Sequence, residues 1–425
     1  MKNLQKNGEM YMKILNFGSC NIDTVYSVHH IVQGGETLGI SSLNQFPGGK
    51  GLNQSIALAR AGVQVYHAGC VGKDDTLLIP LMQKAGIDVT HMKKVDRQSG
   101  QAFIQLDQNG QNAILVYPGA NACVTTEYID EVLEHFQEND ILLIQNEISN
   151  VLYLVHAAAK KGMRIILNPS PFTDELREID LNKLYCVILN ETEAAQWART
   201  GKPYDFITYA YDQYKDLKVI LTLGKSGSIY LDNQTIYRQF AYKLPTIDTT
   251  AAGDTFTGYF VSGLYRGKSA KTTLQNASAA AALAVSREGA ATSIPMHEEV
   301  LGCLNTLVPN INENFTEQNE LVRTYIVCNI ADIKLKDVAS LLGYTEAHTS
   351  RWIRKNFGMN FSEFIQNERC EMAAELLRNS RMPISEIIYK VGYQNETFFR
   401  NVFMKKYHIS PGAYRKEATK KKEGS

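Results

Sequence analysis

The sequence predicts an α/β domain followed by an all-α domain with two helix-turn-helix units. Strand-like apolar runs alternate with helix-like runs up to about residue 300, a pattern typical of a parallel sheet. From Leu321 onward the pattern is helical only, and 425 residues exceed the size of one ordinary domain. The predicted divisions are a first domain at 1–307, a linker at 308–320, a second domain at 321–416 and a basic tail at 417–425.

The composition predicts a cytoplasmic protein with no membrane partner. Hydrophobic residues make up 44% of the chain and charged residues 21%, as in globular proteins with a sizeable core. No apolar run reaches membrane-spanning length, and no signal peptide is visible. The seven cysteines are scattered without CxxC spacing, which favours buried thiols in a reducing compartment. Met12 is an alternative start, because the strand pattern begins at Lys13.

The net charge of zero conceals an asymmetry. From Leu321 onward there are 18 Lys and Arg against 11 Asp and Glu, so the preceding part of the chain is acidic. A basic C-terminal quarter indicates a polyanionic partner for that quarter alone. A solvated basic tail is the alternative, particularly for Lys420–Lys422.

The first strand and the Gly-rich turn that follows it predict part of a ligand site. A buried strand over 14–18 places Asn21 and Asp23 just beyond its carboxyl end, where ligands of open α/β sheets bind. The turn Pro47-Gly48-Gly49-Lys50-Gly51 precedes a predicted helix over 52–61, with Asn53 in its first turn. Its glycines allow the backbone to approach a ligand closely.

Residues 103–117 predict a β-hairpin. Two alternating apolar runs flank Asn109-Gly110, a dipeptide that favours a two-residue type I′ turn. The hairpin is interpreted as a lid or as a plain edge hairpin, and the sequence leaves both open.

Four further strands each end in a polar or Gly-containing loop. The strands are predicted at 141–144, 165–167, 187–189 and 219–223. Because parallel strands present their carboxyl ends at one edge, these loops predict a binding cleft. The residues placed there are Glu147, Asn168, Asn190, Glu193, Gly224 and Gly227.

A turn over 248–254 runs directly into a helix predicted at 255–265. If the helix starts there, the backbone N–H groups of Ala252, Gly253 and Asp254 are unpaired and form an anion site. An acidic side chain inside an anion site is unusual unless it takes a proton from an attacking hydroxyl. Asp254 is therefore either a general base or an N-cap residue.

Beyond the linker, two helix–Gly–helix patterns predict helix-turn-helix units. The first runs 336–344 and then 346–355, and the second runs 384–393 and then 396–403, with a long helix at 362–378 between them. One such unit is common in any helical bundle. Two of them in a basic domain favour DNA binding.

The first 300 residues resemble the ribokinase branch of the PfkB sugar-kinase family. The resemblance implies a Rossmann-like αβα sandwich with a small β lid that often mediates dimer contact, and hence a homodimer. The motifs that carry it are Gly18-Ser19-x-Asn21-x-Asp23, Gly35-Glu36-Thr37, Pro47-Gly48-Gly49-Lys50-Gly51-x-Asn53-Gln54, Gly69-x-Val71-Gly72-x-Asp74, Leu167-Asn168-Pro169, Asn190-Glu191-Thr192-Glu193 and Asp248-Thr249-Thr250-Ala251-Ala252-Gly253-Asp254-Thr255-Phe256.

The same resemblance implies a role for each matched residue. Asp254 is the expected base, and the backbone N–H groups of Ala252, Gly253 and Asp254 stabilise the transferred phosphate. The expected cofactors are ATP, Mg²⁺ and K⁺. Expected sugar ligands are Asn21, Asp23, Gly49, Lys50, Asn53 and Glu147; Asn190 and Glu193 position phosphate and Mg²⁺; Thr222, Gly224, Gly227 and Asn276, with Asn190, line the nucleotide site; and Asp248, Thr250, Gly289 and Ser293 hold K⁺.

Residues 321–416 resemble the AraC-type DNA-binding domain. Its second half carries the match, with Val391-Gly392-Tyr393, Phe398-Phe399-Arg400 and Ser410-Pro411-x-x-Tyr414-Arg415, whereas Ile388 departs from the usual Ala. The resemblance implies two recognition helices in successive major grooves of double-stranded DNA. Expected base contacts are His348, Thr349 and Arg351 in the first helix and Asn395, Glu396, Thr397, Arg400 and Asn401 in the second; expected backbone contacts are Lys355, Lys405, Lys406 and Arg415.

Together the resemblances imply an ATP-dependent kinase for a pentose, ribose first, coupled to a sequence-specific transcription regulator. Two alternatives stay open. In one, the kinase-like domain only senses sugar or nucleotide. In the other, the helical part is an interaction module that does not bind DNA. The sugar also stays open among ribose, deoxyribose and related molecules, since they differ by single hydroxyls.

Overall fold

The computed structural model describes residues 12–232, 235–311 and 315–423. The chain divides into two compact units after Ile311, and the segment Ile207–Gln213 groups with the second unit. The first unit contains both strands and helices, and the described part of the second unit is helical. The predicted α/β domain and the all-α domain that follows it are therefore both present.

The larger sheet of the first unit has nine strands in the described residues. Its order is β13-β12-β11-β10-β9-β8-β1-β4-β5, with β12 and β13 antiparallel at one edge and the other strands parallel. Across both sheets the strands are β1 (Ile14–Phe17), β2 (Asn21–Ser27), β3 (Ser42–Gly48), β4 (Tyr66–Gly72), β5 (Asp88–Val95), β6 (Gly100–Leu106), β7 (Asn112–Tyr117), β8 (Ile141–Gln145), β9 (Arg164–Asn168), β10 (Leu184–Asn190), β11 (Lys218–Thr222), β12 (Ser228–Asp232) and β13 (Thr235–Gln239).

Helices cover both faces of this sheet. On one face, apolar side chains at alternate strand positions, such as Leu143 and Ile188, pack against α1 (Lys50–Arg60), α7 (Ala252–Tyr265) and α8 (Ala270–Val285). The helix α4 (Val151–Lys160) packs on β8 and β9. This arrangement is the predicted αβα sandwich. The helices are α1 (Lys50–Arg60), α2 (Leu78–Lys84), α3 (Thr126–Leu133), α4 (Val151–Lys160), α5 (Glu191–Ala198), α6 (Pro203–Gln213), α7 (Ala252–Tyr265), α8 (Ala270–Val285) and α9 (His297–Cys303).

A four-stranded sheet, in the order β3-β2-β6-β7, forms the lid that the family resemblance implies. Asn21 and Asp23 lie within its strand β2, not in a loop after β1, because the chain passes directly from the main sheet into the lid.

The hairpin of β6 and β7 is present, but its turn is not the predicted type I′. Only Gly110 has positive φ, at 77°, and the loop spans Asp107 to Gln111. The carboxylate of Asp107 accepts hydrogen bonds from the backbone N–H groups of Asn109 and Gln111, at 2.8 and 2.9 Å. These bonds stabilise the longer loop.

A glycine allows two helices to meet directly beneath the predicted cleft. A Cβ added at Gly258 of α7 would lie 2.4 Å from the Cβ of Ala57 on α1. Only glycine therefore permits this approach, and it brings the first turn of α1 against the first turn of α7. Residues about 200 positions apart in the sequence become neighbours.

The second unit contains the two predicted helix–Gly–helix patterns. Gly343 ends the first helix of one pattern at φ 70°, and Gly392 lies in the other at φ 86°. Residues 315–320 are helical and not a non-periodic linker, because no Gly or Pro interrupts them. The helices are α10 (Phe315–Cys328), α11 (Leu335–Leu342), α12 (Glu346–Phe357), α13 (Phe361–Asn379), α14 (Ile384–Lys390), α15 (Glu396–Tyr407) and α16 (Pro411–Glu423).

The second pattern has its own apolar core. Ile388, which departs from the family's usual Ala, is fully buried there with Val391, Phe399 and Phe403. The larger side chain is thus accommodated while α14, the turn and α15 are retained. None of the described helices is long and apolar enough to cross a bilayer.

Candidate active site and nucleic-acid interface

The start of α7 forms the predicted anion site with two free donors, not three. Ala251 adopts a left-handed conformation at the N-cap, φ 58°, so that Asp254 is the third helical residue and not the cap. The N–H of Ala252 donates to Thr249 O at 3.3 Å, which removes it from the expected set. The N–H groups of Gly253 and Asp254 have no acceptor within the part of the chain that is described.

The carboxylate of Asp254 is held by two amide side chains of α1. Its Oδ2 accepts from Asn53 Nδ2 at 3.1 Å, and its Oδ1 accepts from Gln54 Nε2 at 2.9 Å. The residue is 8% exposed. Each carboxylate oxygen has a second lone pair, so that a hydroxyl presented to Asp254 still finds an acceptor.

The Gly-rich turn before α1 is fixed to the loop after β8. Glu147 Oε2 accepts hydrogen bonds from Ser19 Oγ and from the backbone N–H of Lys50, the latter at 3.1 Å. Gly49 has φ 94°, and a Cβ there would lie 3.0 Å from the backbone nitrogen of Asn21. The turn therefore needs glycine, and it brings the backbone of residues 49 and 50 beside Asn21 and Glu147.

The polar atoms at this place are suited to a polyhydroxylated ligand. Asn21 is buried, and its Oδ1 accepts from Asn121 Nδ2 at 2.7 Å, which fixes the direction of its amide. Asn53 Oδ1 is buried without a partner among the described residues. A hydroxyl of a bound ligand would satisfy this oxygen, because buried polar atoms are normally hydrogen-bonded.

The charges of the site shift one another's titration. Burial, reinforced by the carboxylates of Glu147 and Asp254, raises the pKa of Asp23 to about 6. Burial also raises the pKa of Glu147. Burial alone would lower the pKa of Lys50, but the carboxylates of Asp254, Glu147 and Glu193 raise it above its ordinary value. The site therefore groups one ammonium with several carboxyl groups.

A cavity of about 620 Å³ opens beside the start of α7. Its walls include Asn190, Thr222, Gly224 and Gly227, all of which the sequence predicts for a nucleotide site, and also Gly253. Its size is within the range of small-molecule sites. Apolar side chains that could cover a base are contributed by Tyr242, Phe256, Ala281, Ala282 and Val285.

Asn276 does not line this cavity, in contrast to the prediction. It borders a separate cavity of about 190 Å³, together with Tyr259 and His297. On α8 it is Ser278 that faces the nucleotide-sized cavity. Asn276 and Ser278 are two positions apart, which corresponds to a rotation of roughly 200° around a helix, so their side chains point in opposite directions.

Asn190 and Glu193 form a capping box at the start of α5. Glu193 Oε2 accepts from the backbone N–H of Asn190 and Oε1 from its side-chain amide, both at 2.9 Å. A carboxylate engaged in this way keeps lone pairs for water, which fits indirect Mg²⁺ binding in which the ion retains its waters. Among the described residues, no group of three or more His, Cys, Asp or Glu side chains could enclose a metal.

Three of the four residues expected at the K⁺ site are directly connected. Asp248 Oδ1 accepts from Thr250 N at 2.8 Å, and its Oδ2 accepts from Gly289 N at 3.0 Å. Burial would raise the pKa of Asp248, but the hydrogen bonds from Thr250 and Gly289 lower it. Ser293 is buried and donates to Ala290 O at 2.9 Å. The carboxylate of Asp248 keeps further lone pairs besides those that accept from Thr250 and Gly289, so it is a suitable oxygen donor for a cation.

In the second unit, α12 presents only part of the predicted base-contact set. His348 and Arg351 are exposed, and the His348 ring stacks on Tyr344 with centroids 4.3 Å apart. Thr349 is 0% exposed, and its hydroxyl donates to Thr345 O at 3.0 Å. Thr349 therefore cannot contact a base, and the prediction for it is wrong. Arg354, which was not among the predicted base contacts, is exposed on this helix.

Helix α15 presents a more complete set. Thr397, Arg400 and Asn401 are exposed. Asn395 caps the helix by accepting from Phe398 N at 2.9 Å, and Glu396 pairs with Arg400 at 3.3 Å. An exposed ion pair of this kind is weak, so that Arg400 can exchange Glu396 for a base edge.

Lys406 and Arg415, which are among the expected phosphate contacts, bind other residues of the protein. Lys406 Nζ contacts Asn367 Oδ1 at 2.5 Å and Glu371 Oε1 at 2.6 Å, and Arg415 donates to Met382 O at 2.6 Å. Lys406 therefore connects α15 to α13, and Arg415 connects α16 to the loop between α13 and α14. Lys355 and Lys405 are exposed.

Several polar contacts at the site were not predicted from the sequence. Gln54 is part of a recognised motif and Asn168 was predicted at the cleft, but nothing in the sequence showed that they contact one another. Gln145, Asn121 and Ser278 carried no signal beyond being polar residues within apolar segments. Their positions depend on contacts between residues about 100 positions apart, as between Asn121 and Asn21.

Comparison with known proteins agrees with this architecture. A model of the pfkB family carbohydrate kinases matches residues 12–297, and a helix-turn-helix domain model matches residues 338–417. The chain is 34% identical over 299 residues to the ribokinase of Haemophilus influenzae, covering 67% of this chain and 95% of that protein. It is 30% identical over 302 residues to the deoxyribokinase of Salmonella typhi, covering 68% of this chain and 97% of that protein.

A solved structure extends the comparison. The ribokinase of Cryptococcus neoformans var. grubii serotype A, in complex with ADP, is 33% identical, with a TM-score of 0.61. The similarity covers 68% of this chain and 99% of that one.

Proposed function

Because the chain belongs to the pfkB family of carbohydrate kinases and carries an AraC-type helix-turn-helix domain, we propose that it is both a pentose kinase and a transcription regulator. The proposed reaction transfers the γ-phosphoryl group of ATP to the primary hydroxyl of ribose. The observation that carries the proposal is the carboxylate of Asp254 beside two free backbone donors at the start of α7.

The proposed mechanism relies on position and charge. Asn21, Asp23, Asn53 and Glu147 bind the sugar hydroxyls and present the primary hydroxyl to Asp254. Asp254 accepts its proton as the oxygen attacks phosphorus, and the N–H groups of Gly253 and Asp254 stabilise the charge on the transferred group. Asn190 and Glu193 would hold Mg²⁺ through its waters, and the ion would neutralise phosphate charge. Asp248 and its neighbours would hold K⁺, whose charge would stabilise the turn that leads into α7.

Release of ADP tests the enzymatic proposal. The full chain is incubated with ATP, Mg²⁺ and K⁺ and with ribose, deoxyribose, other pentoses, hexoses or nucleosides in turn. We expect turnover with a pentose, fastest with ribose. No turnover with any sugar or nucleoside would contradict the proposal and favour a domain that only senses its ligand.

Sugar affinity is expected to fall in mildly acidic solution. Asp23 has a pKa of about 6, so it is ionised above that pH and accepts hydroxyl protons. As the pH falls from about 7.5 to 5, protonation removes this acceptor, and the Kd for ribose should rise by up to about tenfold. Calorimetric titration across this range measures the change.

The matched control for this pH effect is Asp23→Asn. This variant should bind ribose more weakly at every pH, because the amide lacks the negative charge, and its Kd should vary less with pH. A wild-type Kd that is constant between about pH 5 and 7.5 would contradict the assignment of Asp23 as a sugar ligand that titrates in this range.

We further propose that the second unit binds double-stranded DNA through α12 and α15. Arg351 and Arg354 on the first helix and Thr397, Arg400 and Asn401 on the second are exposed and of base-reading chemistry. A homodimer is proposed as well, because Ile114, Leu115 and Val116 on the lid strand β7 are 51 to 71% exposed. Such an apolar strand is typical of a surface that a partner covers.

Sugar or nucleotide occupancy is proposed to change DNA affinity. The support is that one chain carries both units. AraC-type regulators usually carry a sugar-sensing domain beside the DNA-binding domain, and here the kinase unit stands in its place. Band-shift titrations with ribose and with ATP, separately and together, test this. We expect a change in Kd of about fivefold or more, as for a typical coupling free energy. Identical binding curves would refute the coupling.

A further inference from the structure

A continuous chain of buried amide side chains runs behind the proposed sugar site. Gln54 Nε2 donates to Asp254 Oδ1 at 2.9 Å and to Asn168 Oδ1 at 3.1 Å. Gln145 Nε2 donates to Gln54 Oε1 at 2.7 Å and to Asn16 Oδ1 at 3.0 Å. Gln54, Gln145 and Asn16 are all 0% exposed. Water therefore does not compete for these bonds.

The two ends of the chain fix the direction of every amide in it. Asn16 Nδ2 donates to Gly51 O at 2.7 Å, and Asn168 Nδ2 donates to Ile188 O at 2.8 Å. Backbone carbonyls only accept, so each of these amides must turn its NH₂ group towards the backbone and its oxygen towards the chain.

The remaining orientations follow from these two. Gln145 must present its NH₂ group to the oxygen of Asn16, and the same group reaches Gln54 Oε1. Gln54 is then left with both N–H groups for Asn168 and Asp254. A reversed Gln54 amide would place its oxygen against a carboxylate and against another amide oxygen.

We propose that Gln54 is a positioning residue for Asp254, with its own orientation set by Gln145, Asn168 and the two backbone carbonyls. This inference rests on the proposed role of Asp254 as the general base. Asn53 holds one carboxylate oxygen and Gln54 the other, so the plane of the carboxylate is fixed by two donors from one helical turn. Gln54 is buried behind the carboxylate and does not itself contact the sugar.

The orientation matters because proton transfer depends on a lone pair aimed at the attacking hydroxyl. With Asn53 alone, the carboxylate can rotate about its terminal torsion, which is a broad and shallow potential. Rotation moves the accepting oxygen away from the hydroxyl, and a displacement of about 1 Å costs about a hundredfold in rate. Gln54 prevents this rotation without taking part in the chemistry.

The test is Gln54→Met in the full chain, alone and combined with Asp254→Asn. Met has the same length and no N–H donor. We expect kcat for ribose to fall by about tenfold to a hundredfold, while the calorimetric Kd for ribose changes by less than about threefold. In the Asp254→Asn background, Gln54→Met should cause no further loss of kcat, because its effect acts through that carboxylate.

A buried residue of the same helix as Asp254 supplies the control. Thr257→Val changes a polar side chain that is 2% exposed and should leave kcat unchanged. If Gln54→Met does not fold, Gln145→Met replaces it, and a severalfold fall in kcat that disappears in the Asp254→Asn background is the expected result.

Two outcomes would overturn the inference. One is an unchanged kcat in folded Gln54→Met, and the other is the same fractional loss with and without Asp254. Failure of the inference is distinct from failure of the proposed reaction. If Asp254→Asn alone retains normal turnover, the general base is misassigned; if it is inactive while Gln54→Met is normal, only the positioning role is wrong.

Discussion

Replacing Asp254 with Asn should lower kcat by about two orders of magnitude or more, in line with the loss of a general base. The amide has the same shape but cannot accept the proton of the attacking hydroxyl. The anion site formed by the N–H groups of Gly253 and residue 254 is retained, as is the contact surface for the sugar. Calorimetric ribose binding should therefore survive, and ADP release measures the loss.

The contrast with Asp23→Asn makes this prediction specific. Asp23 is proposed to bind sugar without exchanging the reacting proton, so its loss should raise KM for ribose more than it lowers kcat. Near-normal turnover of Asp254→Asn would remove Asp254 from the mechanism. DNA affinity should be the same in wild type and Asp254→Asn unless turnover itself is the regulatory signal.

Replacing Arg400 with Ala should weaken binding to a selected operator by about tenfold to a hundredfold and relax specificity at the base pair it reads. Arg400 is exposed on α15, and in free protein its only described ion pair is with Glu396. An exposed pair costs little to break, so most of a bidentate contact to guanine would appear as affinity.

Lys405→Ala is the matched control on the same helix. It removes an equal charge but is proposed to contact phosphate only. It should weaken binding evenly across sequences and reduce the salt dependence by about one counterion. The operator is first selected from random duplexes with the full chain, and both variants are then titrated at several salt concentrations.

Two results would contradict the reading role of α15. One is the selection of no preferred sequence by the wild-type chain. The other is an Arg400→Ala variant that binds selected and random duplexes as wild type does. Binding that does not weaken as salt rises would favour a protein-interaction module in place of a DNA-binding unit.

Five strands of the main sheet, β1 and β8 to β11, were predictable because they are short, continuous apolar runs, whereas β4, β5, β12 and β13 were not predicted individually. The strands β8, β9, β10 and β11 end in Gln145, Asn168, Asn190 and Thr222, and the parallel register pairs Gln145 with Asn168 and Asn190 with Thr222. These apolar runs were sufficient to predict the cleft residues, since a parallel sheet brings the carboxyl ends of its strands to one edge. The lid placement of Asn21 and Asp23 was not predicted, because nothing local to β2 specifies its pairing with β3 and β6.

The direction in which a side chain points from its helix was predicted least well. The helix α8 is rich in Ala on all sides, so its sequence has no polar face that shows which way Asn276 points. Ser278 faces the nucleotide-sized cavity instead. Thr349 was misplaced for a related reason: a Thr that donates to the carbonyl four residues back can be buried in spite of its hydroxyl.

The side-chain network around Asp254 could not be read from the chain at all. Gln54 and Asp254 are 200 positions apart, and they meet only because Gly258 allows α1 and α7 to approach closely. Sequence motifs identify Gln54 and Asp254 separately, but they do not show that the two side chains are in contact.

The proposed reaction is phosphoryl transfer to the primary hydroxyl of ribose, and analysis of the product tests it. The full chain is incubated with ribose, ATP, Mg²⁺ and K⁺, and the product is examined by proton-coupled ³¹P NMR. A phosphate on a CH₂–O group is split into a triplet by its two protons. We predict this triplet with wild type and its absence over the same period with Asp254→Asn. A doublet, which indicates a secondary or anomeric position, or no ester with any pentose, would contradict the account.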